Sequence, residues 1–192
     1  MSRHSSWRAG GPAERFFRPA DVEDPSQFLA GLEAIAEIHR RHGNVQEVIV
    51  QNFRAKADTR MRREPEPTVQ FVARVVAVAR WILGPEANIQ VPPNLTDDFA
   101  VYLDSGINDW GGVSPLTIDW VNPEAPWPQL QQLAEETARA GKLLVERLAI
   151  YPAYILAHEK WLCRSQQTEV LRHSDGGGLA RDHNWSPGQL ET

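Results

Sequence analysis

Three short apolar runs, each followed by polar residues, lie between segments in which apolar residues recur at helical spacing. The first run is in VQEVIVQNF, the second in NIQVPPN and the third in SGINDWGGVS. A short and nearly continuous apolar run is typical of a strand that is covered on both faces, as in parallel sheets. Helices that carry the chain between such strands by right-handed crossovers produce a parallel sheet. The alternation therefore predicts an α/β fold.

Four helical segments flank these strands. They are expected at about residues 26–42, 69–83, 96–104 and 128–140. Gly43 and the Gly84-Pro85 pair mark two of the helix ends, because glycine and proline commonly stop helices. Pro128 is expected in the first turn of the fourth helix. Residues 151–161 are also expected to be helical, residues 1–24 to form a disordered leader, and residues 166–192 to form an irregular tail.

Composition disfavours several classes of function. The 192-residue chain has a formal net charge of −5, which gives no sign of a basic surface for nucleic acid or anionic lipid. No apolar run approaches the roughly 20 residues of a membrane span, and the N-terminus has no signal-peptide core. We therefore expect a cytoplasmic protein whose partners are small molecules or other proteins. The single cysteine, Cys163, excludes an internal disulfide and a cysteine-rich metal cluster held by this chain alone.

Polar residues and glycines follow each of the three predicted strands. Ligands of parallel α/β sheets collect at the carboxyl ends of the strands, on the loops that follow them. The candidate binding residues are therefore Gln51, Asn52, Arg54 and Lys56 after the first strand, Asn94 after the second, and Trp110, Gly111, Gly112 and Ser114 at the end of the third.

Each candidate also has an interpretation that needs no ligand. Gln51 and Asn52 satisfy backbone groups equally well where a strand becomes a loop. Arg54 and Lys56 are ordinary solvated side chains unless an anionic ligand binds. Asn94, after two prolines, suits a helix cap.

The glycines and the possible metal ligands have similar alternatives. Gly111 and Gly112 either permit a tight bend or let a ligand approach the backbone closely. His39 and His42 resemble a metal-binding pair, but no third ligand is evident and their place at a helix C-terminus accounts for them. Cys163 has the features of a packed small residue rather than of an activated thiolate.

Four segments of the sequence resemble one known family. They are HRRHGNVQEVIVQNFRAKADTRM, NIQVPPNL, GINDWGGVSPLTIDWVNPEAPWP and ARAGKLLVERLAIYP. The resemblance, from about Ala34 to near Ser186, is to the radical S-adenosylmethionine (radical SAM) enzyme FO synthase, 7,8-didemethyl-8-hydroxy-5-deazariboflavin synthase. It matches the first subunit or the corresponding half of the fused enzyme. DWGGVSP, together with VNPE and PWP, is its most specific part.

The resemblance implies about the last three βα units of a TIM-type (β/α) barrel, over residues 25–165. It also implies a 4Fe-4S cluster and S-adenosylmethionine. Enzymes of this family cyclise an adduct of tyrosine with 5-amino-6-ribitylaminouracil to the deazaflavin, with loss of ammonia, in coenzyme F420 biosynthesis. DWGGVSP would be the final strand and its loop, with Asp109, Trp110 and Ser114 lining the pocket. Gln51, Asn52 and Arg54 would face the nucleoside or the substrate from the sixth strand.

One part of the family pattern is missing. The Cys-x3-Cys-x2-Cys loop that holds the cluster is absent, and one cysteine cannot supply three thiolates. The first hypothesis is a truncated enzyme, from a gene fragment, a frameshift or a misassigned start, whose partner is the missing barrel segment or the second FO synthase subunit. The alternative is a non-catalytic half-barrel that serves as a binding or scaffold protein. Acid–base chemistry alone is disfavoured, because no paired carboxylates stand at the strand ends.

Overall fold

The computed structural model describes residues 25–96, 98–114 and 116–181, and the predicted leader over residues 1–24 lies outside this part. Helices and strands alternate in the described part as the sequence predicts. The elements are α1 (Pro25–His42), β1 (Val48–Ile49), α2 (Val69–Leu83), β2 (Ile89–Val91), a 3₁₀ turn (Pro93–Leu95), α3 (Phe99–Ser105), β3 (Asp109–Trp110), α4 (Leu130–Arg139), α5 (Pro152–Leu156), α6 (His158–Trp161) and α7 (Arg164–His173).

Specific caps fix the ends of α1 and α2. The backbone N–H of Gly43 donates to the His39 carbonyl oxygen at 2.6 Å, at the end of α1. The Thr68 hydroxyl accepts a hydrogen bond from the backbone N–H of Phe71 at 3.2 Å, which satisfies one of the free N–H groups in the first turn of α2. α2 ends before Gly84, whose φ of 89° favours glycine. The predicted ends of these two helices are confirmed.

The three strands form a parallel sheet in the order β1-β2-β3, as the sequence predicts. Ile49 pairs with Gln90, and Gln90 pairs with Asp109, so these residues share one row and one face of the sheet. Ile89 and Val91 lie on the other face of β2 and are fully buried. Ile49 is 51% exposed, so β1 is open on one face, whereas the sequence indicates a strand covered on both.

The core lies on the closed face of the sheet, between the strands and the first four helices. The predicted inner face of α2 is buried at Val72, Val76 and Ala79. Tyr102 of α3 has no exposed surface, and Leu133 of α4 is buried as predicted. α2 contacts α1, α3 and β2, so it is the central helix of this layer.

Two helix starts differ from the predicted ones. α3 begins later than predicted, at Phe99, because the Asp98 carboxylate accepts a backbone hydrogen bond and caps the helix there. α4 begins at Leu130. Gln129 before it has extended backbone, with φ −64° and ψ 137°, so Pro128 lies outside the first turn of the helix.

The last part of the chain is more helical than the sequence indicates. α7 covers Arg164–His173, where an irregular tail is expected from residue 166, and the helix expected over residues 151–161 consists of two short helices. α7 has no buried residue, so it lacks the apolar stripe by which a helix is recognised in a sequence. In the part of the chain that the structure describes, residues up to Lys142 form one compact unit and residues from Leu143 form another. Among the described residues, no helix combines the length and apolar content needed to cross a membrane.

Candidate ligand site at the carboxyl edge of the sheet

The segments that follow the three strands are joined by polar contacts at the carboxyl edge of the sheet. Lys56 Nζ, after β1, donates to Asn122 Oδ1, after β3, at 2.9 Å. Asn94 Nδ2, after β2, donates to Asp119 Oδ2, after β3, at 2.9 Å. Asn122 Nδ2 donates to the same Asp119 oxygen at 3.0 Å. These four side chains form a single network that connects all three segments.

Asp119 is the central acceptor of this network. Besides the two asparagine side chains, its carboxylate accepts a hydrogen bond from the backbone N–H of Val121 at 2.8 Å. Partial burial acts to raise the pKa of Asp119, but the hydrogen bonds from Asn94, Asn122 and the backbone outweigh it and hold the pKa below its ordinary value of 3.8. Asp119 is therefore ionised at neutral pH.

Asn52 follows β1 and is buried, with 8% of its surface exposed. Its Nδ2 donates to the Leu95 carbonyl oxygen and to the Tyr102 hydroxyl, both at 3.4 Å. Burial raises the pKa of Tyr102, and hydrogen bonds from Asn52 and Thr96 act in the opposite direction without reversing the shift. The phenol is therefore protonated at neutral pH. Asn52 Oδ1 is buried and has no hydrogen-bond partner.

Asn94 and Trp127 also carry buried polar atoms that have no hydrogen-bond partner. Asn94 lies inside the 3₁₀ turn Pro93–Leu95, and its Nδ2 also donates to the Ala125 carbonyl oxygen at 3.1 Å, so it does not cap α3. Asn94 Oδ1 and Trp127 Nε1 are buried without a hydrogen-bond partner. Buried polar atoms are normally paired. The three unsatisfied atoms at this edge therefore indicate a bound ligand or ordered water.

The two cations predicted at the site are paired with carboxylates. Arg54 Nη1 lies 3.1 Å from Glu66 Oε2. Lys56 Nζ contacts the carboxylate of Glu124, and this hydrogen bond holds the pKa of Glu124 below its ordinary value of 4.5. Each positive charge is thus offset within the protein. The interpretation of these residues as solvated side chains holds only in part, because both are half-buried.

The two glycines of DWGGVSP have different roles. A Cβ added to Gly111 would lie 2.4 Å from Gln90 Oε1, so glycine here makes room for the side chain of the neighbouring strand. Gly112 has φ 61°, the left-handed region that favours glycine, and the Trp127 ring lies 3.9 Å from where its Cβ would be. Gly111 therefore serves packing within the sheet, and Gly112 permits the bend after β3.

Trp110 lies on the closed face of the sheet, although the resemblance implies that it lines the pocket. Its ring packs edge-on against Phe99 of α3, with centroids 5.6 Å apart. Its Nε1 donates to the Thr137 hydroxyl of α4 at 3.2 Å. Because neighbouring residues of a strand point to opposite faces, Asp109 lies on the face that carries Ile49 and Gln90, which is exposed at Ile49 and covered at Gln90.

The remaining candidates lie outside the polar network. Gln51 is exposed. Ser114 Oγ accepts two hydrogen bonds from Thr117. The backbone N–H donates at 3.2 Å and the hydroxyl donates at 2.8 Å. Ser114 therefore stabilises a turn of the loop after β3.

Three residues of the site are not among the candidates that the sequence provides. They are Asp119, Asn122 and Trp127, all from IDWVNPEAPWP. This segment has no helical or strand periodicity from which contacts can be inferred. Its only signal is that polar side chains stand between prolines and tryptophans in a loop, which is where binding residues are often found.

The residues of this chain do not fit an iron–sulfur cluster. The described residues contain no group of three or more His, Cys, Asp or Glu side chains that could hold a metal ion. Cys163, the sole cysteine of the sequence, is exposed rather than packed. Its hydrogen bond with Ser165 Oγ, at 3.2 Å, lowers the pKa of the thiol. A 4Fe-4S cluster is normally held by four thiolates.

The chain is similar to curated proteins that are named FO synthase or 7,8-didemethyl-8-hydroxy-5-deazariboflavin synthase. Over 132 residues, 68% of this chain, it is 52% identical to FO synthase of Streptomyces avermitilis, covering 15% of that protein. Over 165 residues, 84% of this chain, it is 47% identical to FO synthase of Mycobacterium tuberculosis, covering 19% of that protein. Over 151 residues, 78% of this chain, it is 50% identical to 7,8-didemethyl-8-hydroxy-5-deazariboflavin synthase of Methanopyrus kandleri, covering 44% of that protein.

The chain therefore spans less than half the length of these relatives. No family model matches the chain. No solved structure matches it either.

Proposed function

The chain belongs to the FO synthase family over the part that it shares with these relatives, and we propose that it forms part of the substrate-binding barrel of such an enzyme. The proposed reaction is the cyclisation of the adduct of tyrosine with 5-amino-6-ribitylaminouracil to 7,8-didemethyl-8-hydroxy-5-deazariboflavin, with loss of ammonia. The observation that carries this proposal is 44–52% identity to FO synthases over 68–84% of the chain.

The fold supports a partial TIM-type barrel in this proposal. The sheet is parallel, its strands follow one another in chain order, and helices cover one face. The other face is open at Ile49. In a closed barrel such a face points inward, and the loops at the carboxyl ends of the strands hold the ligand. The polar network and the unsatisfied atoms of Asn52, Asn94 and Trp127 lie at that edge.

The family's radical chemistry needs a 4Fe-4S cluster with S-adenosylmethionine, and this chain cannot hold the cluster. We therefore propose that the cluster and the other strands are supplied by polypeptide outside this sequence. That polypeptide is either the missing barrel segment or a further FO synthase chain. The role proposed for the present residues is to bind and orient the substrate. The cysteine count also favours the alternative of a non-catalytic binding or scaffold protein.

A chimeric enzyme tests the proposal. The 151-residue segment of the Methanopyrus kandleri synthase that matches this chain is replaced by the residues of this chain, which leaves the rest of that enzyme in place. We expect the chimera to form the deazaflavin under anaerobic conditions, measured by chromatography and fluorescence. A folded chimera that contains its cluster but forms no product would favour the non-catalytic alternative.

Single substitutions in the chimera test the site. Asn52→Ala and Asp109→Ala are expected to reduce deazaflavin formation much more than His42→Ala and Cys163→Ala. Asn52 lies at the carboxyl edge of the sheet, and Asp109 lies on the face that carries Ile49 and Gln90. His42 and Cys163 are exposed elsewhere and serve as matched controls. Equal activity of all four variants would remove the carboxyl edge from the site.

A further inference from the structure

The orientation of the Asn52 amide is determined by its neighbours. Its nitrogen faces the Leu95 carbonyl oxygen, which can only accept hydrogen bonds. Exchanging the amide nitrogen and oxygen would place two acceptors against each other. The oxygen is therefore the atom that remains free, and it is buried without a partner.

Asn94 is fixed by the same argument. Its nitrogen faces the Asp119 carboxylate at 2.9 Å and the Ala125 carbonyl oxygen at 3.1 Å, and both are acceptors. Asn94 Oδ1 is consequently the second free acceptor. The two asparagines belong to neighbouring segments, because Asn52 contacts Leu95, the residue next to Asn94. An amide oxygen without a donor is costly to bury, so both oxygens require a donor from outside the chain.

The charges around these oxygens restrict that donor. Asp119 is a carboxylate, and the two cations predicted at the site are already paired, Arg54 with Glu66 and Lys56 with Glu124. A carboxylate or phosphate group would be repelled by the acceptors and would find no free cation. The chemistry therefore favours neutral N–H donors.

We propose that Asn52 Oδ1 and Asn94 Oδ1 accept hydrogen bonds from the ring N–H groups of a cyclic amide of the pyrimidinedione class. This assignment rests on the proposed function for the identity of the ring. Trp127 Nε1, the free donor at the same edge, binds a carbonyl oxygen of the same ring. The two amide oxygens thus accept hydrogen bonds from the ring N–H groups of the substrate and disfavour the binding of anions.

The loop after β3 lies against one of these two acceptors. Asn94 lies against this loop through Asp119 and Ala125. Two of the large apolar residues of the loop, Leu116 and Trp120, are 92% and 82% exposed. Because these two side chains bury little apolar surface, the loop is held at this edge mainly by its polar contacts.

Equilibrium dialysis of the purified 192-residue chain tests the assignment. The probes are 6-(ribitylamino)uracil and its N3-methyl derivative, which lacks one ring N–H donor. The proteins are the wild type, Asn52→Leu, Asn94→Leu and the control Asn88→Leu. Asn88 makes two satisfied amide hydrogen bonds at the opposite edge of the sheet, to the Gln46 carbonyl oxygen and to Asn108. Orotate, a uracil that carries a carboxylate on the ring, is the anionic competitor.

Methylation of the ring is expected to weaken binding to the wild type and to Asn88→Leu by about tenfold, as the loss of one well-placed hydrogen bond does. At least one of Asn52→Leu and Asn94→Leu should bind the two probes with equal affinity, since the partner of the missing N–H is gone. Orotate should not displace the uracil, because its carboxylate meets the Asp119 carboxylate and the amide oxygens.

Any of four results would overturn the assignment. The first is equal binding of the two probes by the wild type, and the second is no binding of either probe at millimolar concentration. The third is tenfold discrimination retained by both Asn52→Leu and Asn94→Leu, which would show that the two side chains act only through structure. The fourth is binding of ribitol as tightly as 6-(ribitylamino)uracil, which would show that the protein recognises the ribityl hydroxyls and not the ring. If the chimera forms no deazaflavin but the chain still discriminates between the two probes, then the proposed function is wrong and the binding site stands. If the chimera forms deazaflavin but the chain does not discriminate between the probes, then the proposed function stands and the binding site is wrong.

Discussion

At position 111 the sheet leaves no room for a side chain. We predict that Gly111→Ala lowers the free energy of unfolding by about 1–3 kcal/mol, because the new methyl group, 2.4 Å from Gln90 Oε1, displaces the Gln90 amide from Glu47. Urea unfolding followed by circular dichroism measures the change. Gly31→Ala is the matched control, since nothing lies within 4 Å of its Cβ position on α1. It should stabilise the helix by about 0.5–1 kcal/mol.

The cause of that effect can be isolated with a second substitution. Gln90→Ala removes the group that the new methyl meets, so Gly111→Ala should cost much less in that background. If it costs the same with and without the Gln90 side chain, then the contact is not the reason for glycine at this position.

The Asp119 carboxylate makes a pH-dependent contribution to stability. Its folded pKa lies below 3.8, so its stabilising contribution is present above that pH and is lost as the pH falls through the folded value. We predict that the difference in free energy of unfolding between the wild type and Asp119→Asn is largest near neutral pH and shrinks in acid. Denaturant titrations from pH 7 to pH 3 measure it. A difference that does not change with pH would show that Asp119 is not held as a carboxylate by its hydrogen bonds.

Some of the site can be predicted from sequence at this scale. Asn52 and Asn94 follow predicted strands, and a parallel sheet brings such positions together, so both are candidates from the sequence, and their role in binding stays a prediction. Trp110 is misplaced because alternation shows that neighbouring residues face opposite ways but not which face the helices cover. Asp119 and Asn122 are missed because their contacts arise in an irregular loop, where no period relates sequence to position.

At the scale of elements, α2 is tied to the opposite, amino edge of the sheet by one side chain. Arg80 Nη1 donates to the carbonyl oxygens of Gly84 and Ala87 at 3.0 and 2.6 Å. Its Nε donates to the Gly106 carbonyl oxygen at 2.9 Å, and Nη2 donates to Asn108 Oδ1 at 3.0 Å. The side chain thus connects the end of α2 with the connections that precede β2 and β3.

We predict that Arg80→Met lowers the free energy of unfolding by about 2–4 kcal/mol, because several partly buried acceptors lose their donor together. The urea midpoint measures the change. Arg60→Met, at an exposed position of the loop after β1, is the control and should have a negligible effect. Equal midpoints for the two variants would show that the Arg80 contacts contribute nothing net.

The elements that the sequence predicts best are those with a strong apolar pattern and a clear stop. α1 and α2 have both, and the three strands are short apolar runs between them. α7 is missed because it has no buried residue and therefore no pattern. The start of α4 is misplaced because proline suits a first helical turn and an extended segment equally well, and tertiary packing decides between them.

At the scale of the whole molecule, the number of thiolates decides what the chain does alone. We predict that the purified chain, after anaerobic treatment with iron and sulfide, holds no 4Fe-4S cluster and forms no 5′-deoxyadenosine from S-adenosylmethionine with a strong reductant. One cysteine cannot replace the thiolates that such a cluster requires. Iron and sulfide analysis with chromatography measures both outcomes. About four irons per chain together with 5′-deoxyadenosine would show that other ligands hold a cluster.

Lys56 joins the loop after β1 to the loop after β3 through Asn122 and Glu124. A substitution at any of these positions changes the surroundings of the other two, so selection acts on the set rather than on single residues. Across related sequences, we expect position 56 to vary together with positions 122 and 124, with loss or reversal of one charge accompanied by a change in its partner. A designer who transplants one of these loops into another protein would have to move both.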